Sequence, residues 1–313
     1  MIIKEEQAKK IAELLKLFYE KNNLNERYTA KVPELPDFLE CLDKEINKQI
    51  TSYEKNIVLK EELHKKIKEK KSVIDEKNIK DIVLWIIRKW GGICSVNENA
   101  ENSVVNVAIN DVKRFFNYED YEEITFDNIF IKSPIPSRSK VLSFLYPETC
   151  VICDSRVVFT LNRLLEITSD NKNTIYIKPL PSRNTILNDA IKNMNERIKK
   201  QGNITLINLY SDFCESIKLI TTYLNKKDPN KKDLNEKEWK LYETEMLLFT
   251  LANDKNNGID INWLWRELGE KIKFKQAKTI LKKNRPKINI DNQHHPSNGW
   301  FAPCHKFCVN DRG

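Results

Sequence analysis

Glycine is scarce in this chain, with 7 residues among 313, or about 2% against the ~7% of an average protein. Neither the GxGxxG nor the GxxxxGK[ST] motif occurs, so the sequence argues against a dinucleotide site and a P-loop nucleotide site. The HExxH and GxSxG signatures of zinc peptidases and serine hydrolases are absent as well. A glycine-poor chain of this kind is typical of a helical protein, because glycine serves turns and bulges rather than helices.

Long hydrophobic runs are also missing. The longest apolar run spans Ile82 to Ile87, whereas a helix that crosses a bilayer needs about 18 such residues. The opening MIIKEEQAKK contains acids and has no long apolar stretch, so no secretory signal is predicted. The 7 cysteines are odd in number and scattered, which predicts reduced thiols rather than a disulfide framework. We therefore expect a cytoplasmic protein with no membrane partner.

Apolar and charged residues are both abundant, at 40% and 31% of the chain, enough for a packed core. Apolar residues recur every three to four positions along most of the sequence, and the strongest stripe runs from Ile79 to Trp90 before Gly91-Gly92. Strict alternation is short and rare, and its best example is residues 174–177. These patterns predict an all-α protein.

The chain divides into three parts by composition. Residues 54–78 are dominated by Lys and Glu, which predicts a solvated helix or a connector. We place an N-terminal helical region before it, over residues 1–78, and a helical body over residues 79–285. Pro286 ends the last convincing helix, so residues 286–313 are predicted to be an irregular tail.

Cysteine and histidine are concentrated in that tail. Two thiolates and two imidazoles can form a tetrahedral zinc site, but their spacing here matches no zinc-finger pattern, and an irregular tail without metal is the favoured interpretation. The weak metal candidates are His294, His295, Cys304 and Cys308. The pair Cys150 and Cys153 lies between predicted core helices, and we expect buried thiols there.

The net charge of +8 is concentrated near the end of the body. Residues 266–287 contain nine basic and two acidic residues, a local charge of +7. A cationic amphipathic helix can follow a nucleic-acid backbone, where counterion release favours binding. A soluble surface helix is the alternative. The candidate DNA contacts in this segment are Lys275, Lys278 and Lys282.

The most informative stretch runs from Phe126 to Leu165. Its pattern predicts a short helix over about 126–132, a tight connection over 133–137 and a second helix over about 138–145. Asp154 then precedes a third helical run that ends near Leu165, as expected of an N-cap whose carboxylate accepts backbone N–H groups.

This arrangement resembles the helix-hairpin-helix DNA glycosylase superfamily, particularly its 8-oxoguanine DNA glycosylase-like members. The resemblance is carried by KVLSFLYP and CDSRV, which place Lys140 and Asp154 14 residues apart. It extends weakly to residues 90–92 and to YETEMLLF at 242–249, and so covers roughly residues 79–255. It implies an all-α helix-hairpin-helix body to which the N-terminal helical region is added.

The resemblance implies excision of a modified or mispaired base from duplex DNA, with an associated abasic-site lyase activity and no cofactor. Lys140 would be the nucleophile and Asp154 the carboxylate that stabilises the developing charge or handles protons. The target base must leave the stack to enter a pocket. The pocket candidates, each more often a simple core residue, are Trp85, Trp90, Phe144 and Phe159.

The hairpin departs from the family pattern, which is usually Leu-Pro-Gly-Val-Gly. Residues 134–138 contain no glycine, and proline offers no N–H to a phosphate. Arg138 and Arg156 are the remaining candidate DNA contacts here, although Arg156 pairs as readily with an acid inside the fold. The departure keeps an alternative open: a non-catalytic helix-hairpin-helix DNA-binding module, for example in a bacterial defence system. A purely structural helical adaptor is a weaker third hypothesis.

Overall fold

A computed structural model of the chain describes residues 3–21, 24, 52–69, 75–93, 103–117, 126, 128–132, 134–169, 174–200, 204–226, 237–251, 253–254 and 258–259. These residues are mostly helical, which confirms the helical class. The helices are α1 (Glu5–Lys21), α2 (Ser52–Glu69), α3 (Glu76–Leu84), α4 (Val104–Asn117), α5 (Ile135–Leu145), α6 (Ser155–Thr168), α7 (Thr185–Lys200), α8 (Tyr210–Leu224) and α9 (Leu241–Leu251). A π-helical segment, Trp85–Trp90, continues α3. No helix within the described ranges has both the length and the apolar character needed to cross a bilayer.

Two short sheets accompany the helices. β1 (Thr174–Ile177) is the segment with the best predicted alternation, and it pairs in parallel with β2 (Ile204–Ile207) across α7. β3 (Asn253–Asp254) and β4 (Gly258–Ile259) form an antiparallel pair. The Asn162 amide donates to the Ile177 carbonyl at 2.8 Å and accepts from its N–H at 2.7 Å, which attaches β1 to α6.

Helices from both ends of the described chain share one hydrophobic core. α1 packs on α8 and also contacts α6 and α9, while α2 packs on α5. Buried residues of all these helices belong to one apolar cluster. The predicted boundary at residue 78 therefore does not separate two cores, and it stays a prediction from composition.

The prediction of a solvated helix or a connector over residues 54–78 is wrong in one respect. Most of them lie in α2, whose inward face is buried through Leu59, Lys60, Leu63 and Ile67. Leu59, Leu63 and Ile67 recur every four positions, and Lys60 lies beside Leu59, so one face of the helix reaches the core between exposed Lys and Glu side chains. α2 therefore places the side chain of Lys60 in the protein interior.

The predicted short helix over 126–132 is also wrong for the residues described there. Phe130 instead forms an isolated antiparallel bridge with Leu209. Ile129 and Ile131 flank Phe130, and β-branched side chains favour extended backbone over helix. The helix before α5 in the described chain is α4, which packs against it.

α5 begins at Ile135, three residues earlier than predicted at Arg138. Pro134 occupies the N-cap position and Pro136 lies in the first turn. Proline is tolerated there because the first N–H groups of a helix have no intrahelical acceptor. The glycine-free segment therefore forms the start of a helix rather than an open turn.

Candidate active site

Asp154 is the N-cap of α6, which confirms the capping prediction. Its Oδ1 accepts hydrogen bonds from the backbone N–H groups of Arg156 and Val157, both at 2.9 Å. Oδ2 accepts none from the residues that the structure describes, and the side chain is half-buried. One oxygen of the carboxylate is thus occupied by the cap, while the other has no such partner in the described chain.

The linker between α5 and α6 is fixed from both sides. The Ser139 hydroxyl accepts the Cys153 N–H at 3.0 Å. The Tyr210 hydroxyl donates to the Val151 carbonyl at 2.7 Å, from the start of α8. These buried bonds hold the residue before Asp154 against the residue before Lys140, so the two predicted site residues belong to one rigid substructure.

Lys140 is buried in the middle of α5, with 7% of its surface exposed. Burial is the largest influence on the Lys140 amine and lowers its pKa. The carboxylates of Asp154 and Glu245 oppose that shift, and the guanidinium groups of Arg183 and Arg156 add to it. Within the described chain the ammonium makes no hydrogen bond or ion pair. A lysine in this setting becomes a neutral amine more readily than a lysine on the surface.

A second buried carboxyl group lies in the same cluster and was not predicted from the sequence. Glu245 of α9 is 2% exposed and Lys60 of α2 is 1% exposed, and the Lys60 Nζ is 3.2 Å from Glu245 Oε2. Burial raises the pKa of Glu245 to about 7, with Lys60 acting in the opposite direction and the charge of Asp154 in the same one. Lys140 also interacts with Glu245 electrostatically.

The sequence contains a signal for both missed residues. Residues 241–251 are almost wholly apolar or uncharged apart from Glu243 and Glu245. A carboxyl group inside a stretch that is buried all round must be paired or neutral. Lys60 lies next to Leu59 on the buried stripe of α2, so burial of its amine could be anticipated from the period of that stripe.

Arg138 and Arg156 are both engaged within the fold. The Arg138 guanidinium binds Asp111 of α4 in a two-point contact, with Nε and Nη2 at 2.7 and 2.8 Å from the carboxylate oxygens. The guanidinium carbon of Arg156 lies 4.4 Å from the centre of the Phe249 ring, and the residue is 5% exposed. Their predicted DNA contacts stay predictions. Arg183, which the sequence did not single out, is exposed and acts on Lys140.

Gly91 has no Cβ, and this leaves space for the Lys140 side chain. The π-helical segment ends at this residue, and a Cβ placed on it would lie 2.8 Å from Lys140 Cδ. The same Cβ would lie 2.7 Å from the Ile86 carbonyl oxygen and 2.8 Å from that of Ile87. Gly91 is therefore required by close packing against two fixed backbone atoms and the stem of the site lysine.

We expect Gly91→Ala to destabilise the protein by about 1–3 kcal/mol, the usual cost of overpacking a core. The two carbonyl oxygens belong to the helix end and cannot move aside as a flexible side chain does. Denaturant unfolding of the variant and the wild type measures the difference. A loss smaller than about 0.5 kcal/mol, the range of ordinary surface changes, would show that this close approach is not a constraint.

The four aromatic pocket candidates, Trp85, Trp90, Phe144 and Phe159, are all buried. Trp90 donates to the Asn56 amide oxygen at 2.7 Å and meets Phe144 edge to face, with the ring centres 5.0 Å apart. Phe144 lies one turn beyond Lys140 on α5, and Trp90 precedes Gly91. The four rings pack in the interior, and their contact with a substrate base stays a prediction.

The cysteines in the described chain are buried thiols, as predicted. Burial raises the pKa of both Cys150 and Cys153, with Cys214 next to them as a further cause. Within the described ranges no group of three or more His, Cys, Asp or Glu side chains is arranged to hold a metal ion. The remaining candidates lie outside the residues described, namely His294, His295, Cys304, Cys308, Lys275, Lys278 and Lys282.

The site as a whole is a largely buried group of oppositely charged side chains that act on one another electrostatically, and it includes the Lys140 amine with its lowered pKa. It combines the basic groups of Lys60, Lys140, Arg156 and Arg183 with the carboxyl groups of Asp154 and Glu245. Such an arrangement can supply a neutral nitrogen nucleophile and a carboxylate to stabilise positive charge.

Comparison of the chain with protein-family models, with curated proteins and with solved structures gives no significant match.

Proposed function

We propose that this protein is a DNA glycosylase with an associated abasic-site lyase activity, and that it removes a modified or mispaired base from duplex DNA. The single observation that carries the proposal is the buried Lys140 amine with a lowered pKa, on which the Asp154 carboxylate acts electrostatically. The sequence resemblance selects these two residues independently of their geometry. A helix-hairpin-helix arrangement is part of the same proposal.

The Lys140 amine attacks the sugar C1′ of a nucleotide that has left the stack. The N–C1′ bond forms, the glycosidic bond breaks, and its electron pair leaves with the base, which takes up a proton. Loss of a proton from the attached nitrogen and opening of the sugar ring give an imine. A base then removes a proton from C2′, a C2′–C3′ double bond forms, and the 3′ phosphate leaves with the electron pair of the C3′–O bond.

Asp154 acts as an electrostatic partner in this sequence. Positive charge develops at the sugar as the base departs, and a fixed carboxylate in a sheltered site stabilises that charge more strongly than water does. The cap holds Oδ1 through two backbone N–H groups, which fixes the orientation of the group. The half-buried position of Asp154 is compatible with contact to a sugar that enters the site.

The excess of positive charge suits an anionic substrate. Apart from Lys60, which pairs with Glu245, the cations of the cluster are Arg156 and Arg183, and Arg183 is exposed. A phosphate beside the target nucleotide would meet this charge. The charge of Arg183 also favours the neutral form of Lys140, so this exposed cation serves both phosphate binding and nucleophile activation.

A panel of duplexes tests the proposal, each carrying one damaged or mismatched base or an abasic site. We expect release of at least one base, or cleavage of the strand at an abasic site, above a Lys140→Met control. Binding to the duplexes without base release or strand cleavage would contradict the enzyme and favour the non-catalytic DNA-binding module. If the protein neither binds nor reacts with any of the duplexes, both the glycosylase and the non-catalytic DNA-binding module are contradicted.

The basic segment 266–287 gives a separate prediction about affinity. If Lys275, Lys278 and Lys282 contact phosphates, replacing all three by Gln weakens binding to every duplex alike. Each lost contact lowers the slope of log affinity against log salt by roughly 0.9, so three contacts lower it by about 2.7. Titrations at several salt concentrations measure the slope, and an unchanged slope would identify a surface helix that only aids solubility.

A further inference from the structure

Three aromatic rings surround the ammonium group of Lys237. Its Nζ lies 4.5 Å from the ring centre of Trp239, 5.0 Å from that of Tyr19 and 5.9 Å from that of Tyr53. All three distances are within the ~6 Å over which a ring attracts a cation. The Glu243 carboxylate supplies a fourth side, with Oε1 2.6 Å from Nζ. We call the three rings and this carboxylate the cation cage.

The members of the cage come from distant parts of the chain. Tyr19 lies in the last turn of α1, Tyr53 in the first turn of α2, and Glu243 in the first turn of α9. Tyr53, Trp239 and Glu243 are buried, and Tyr19 is half-buried. Because burial removes water from the rings and the carboxylate, they attract a cation more strongly here than on an open surface.

The walls of the cage are held by contacts of their own. The Asn225 amide donates to the Trp239 carbonyl at 2.9 Å and accepts the Trp239 N–H at 2.7 Å. The Tyr19 ring meets the Trp239 ring edge to face, with the ring centres 4.7 Å apart. Glu243 Oε2 accepts the backbone N–H of Lys240 at 3.0 Å. None of these contacts uses the resident ammonium, so the walls stay in place when it leaves.

The resident lysine can leave without unfolding a helix. Lys237 precedes α9, which begins at Leu241, and it is an exposed residue whose side chain is 32% exposed. Rotation about the bonds of its long stem moves the ammonium into water, where such a compact charge is strongly hydrated. The cage therefore opens to the surface on the side from which Lys237 enters it.

We propose that the cation cage is a binding site for a trimethylammonium group on an alkyl stem, as in trimethyllysine or choline, and that Lys237 is its internal competitor. Aromatic rings around a carboxylate suit a quaternary ammonium group, which is bulky, positively charged and apolar at its surface. The resident lysine presents the same kind of group, an alkyl stem that ends in a cation. This site goes beyond the proposed glycosylase, and its test needs no DNA.

Calorimetric titration with choline tests the site in the full-length protein and in Lys237→Ala. We expect the variant to bind at least about 10-fold more tightly, because the fraction of molecules with a vacant cage limits the apparent affinity of the wild type. The neutral isostere 3,3-dimethyl-1-butanol should bind the variant at least about 10-fold more weakly than choline. Absence of choline binding by folded Lys237→Ala, or equal affinity for the isostere, would overturn the proposal.

Lys226→Ala is the matched control for removal of a lysine from an aromatic ring. The Lys226 Nζ lies 3.8 Å from the centre of the single Tyr223 ring, so its loss should not strengthen choline binding. Glu243→Gln, combined with Lys237→Ala, keeps an oxygen for the backbone N–H of Lys240 but removes the charge. It should weaken choline binding and leave binding of the isostere unchanged. An equal gain in Lys226→Ala, or unchanged choline binding on loss of the Glu243 charge, would contradict the cage.

Displacement of Lys237 is measured in the wild type, so this part of the test holds even if Lys237→Ala does not fold. Choline should raise the rate at which a trace of acetic anhydride acetylates Lys237, and the isostere should not. Mass spectrometry measures the acetylated fraction, and an unchanged rate at saturating choline would overturn the exchange. A peptide with one trimethyllysine that binds more tightly than choline, and more tightly than its unmethylated form, identifies a peptide as the source of the group. Tighter binding of choline identifies a free small molecule, and either result supports the cage.

Discussion

We expect replacement of Lys140 by Met to abolish the covalent complex that the proposed mechanism forms with abasic-site DNA and that borohydride would trap. The imine requires the amine of Lys140, and Met keeps an unbranched stem beside Gly91 without supplying nitrogen. Loss of the nucleophile should lower the trapped yield by at least about 100-fold. Stability should be kept or increased, because a buried amine without an ion pair in the described chain is exchanged for an apolar group. Denaturing gel electrophoresis after reduction measures the yield.

Lys60→Met is the control for this result, since it removes the other buried amine of the cluster. Glu245 then loses its cation, but a carboxyl group with a pKa near 7 can become neutral at modest cost. Trapping should therefore persist in Lys60→Met. An unchanged yield of the trapped complex in Lys140→Met would show that Lys140 is not the nucleophile, whatever yield Lys60→Met gives.

Asp154→Asn should lower turnover by about 10- to 1,000-fold while stability changes little. Asn caps helices about as well as Asp, and its amide oxygen can accept the same two N–H groups. It carries no negative charge, so the stabilisation of the developing positive charge at the sugar is lost. Single-turnover base release measures the first effect, and denaturant unfolding measures the second.

Asp75 offers a matched control for the cap. It is the N-cap of α3, and its Oδ1 accepts the Asn78 N–H at 2.7 Å. Asp75→Asn makes the same chemical change at another helix start, so both variants should lose similar stability and only Asp154→Asn should lose turnover. Equal activity of Asp154→Asn and the wild type would mean that Asp154 is a cap and nothing more.

Local features of the site were predictable from the sequence because they depend on neighbours in the chain. Asp154 before an apolar helical run predicted the cap, and the stripe from Ile79 to Trp90 predicted the helix that ends at Gly91. The alternation at residues 174–177 was noted in the sequence, but the all-α prediction included no strand there, and the structure forms β1 at these residues. In each case the side-chain period or the capping chemistry acts over a few residues.

The rest of the site depends on contacts between distant parts of the chain. Lys60 and Glu245 are separated by 185 residues, and only the packing of α2 and α9 into one core brings them together. The prediction of a helix over about 126–132 is wrong for the same reason. The apolar residues of this segment suit a helix or a strand, and the bridge between Phe130 and Leu209 decides between them.

The attachment site of the trapped DNA tests the central claim most directly. The wild-type protein is reduced with borohydride on abasic-site DNA, digested with protease and nuclease, and mapped by mass spectrometry. The account predicts a single sugar adduct on Lys140 and none on Lys60, although both amines are buried in the same cluster. An adduct on Lys60 or on a surface lysine, or no adduct under conditions where the protein binds the DNA, would contradict it.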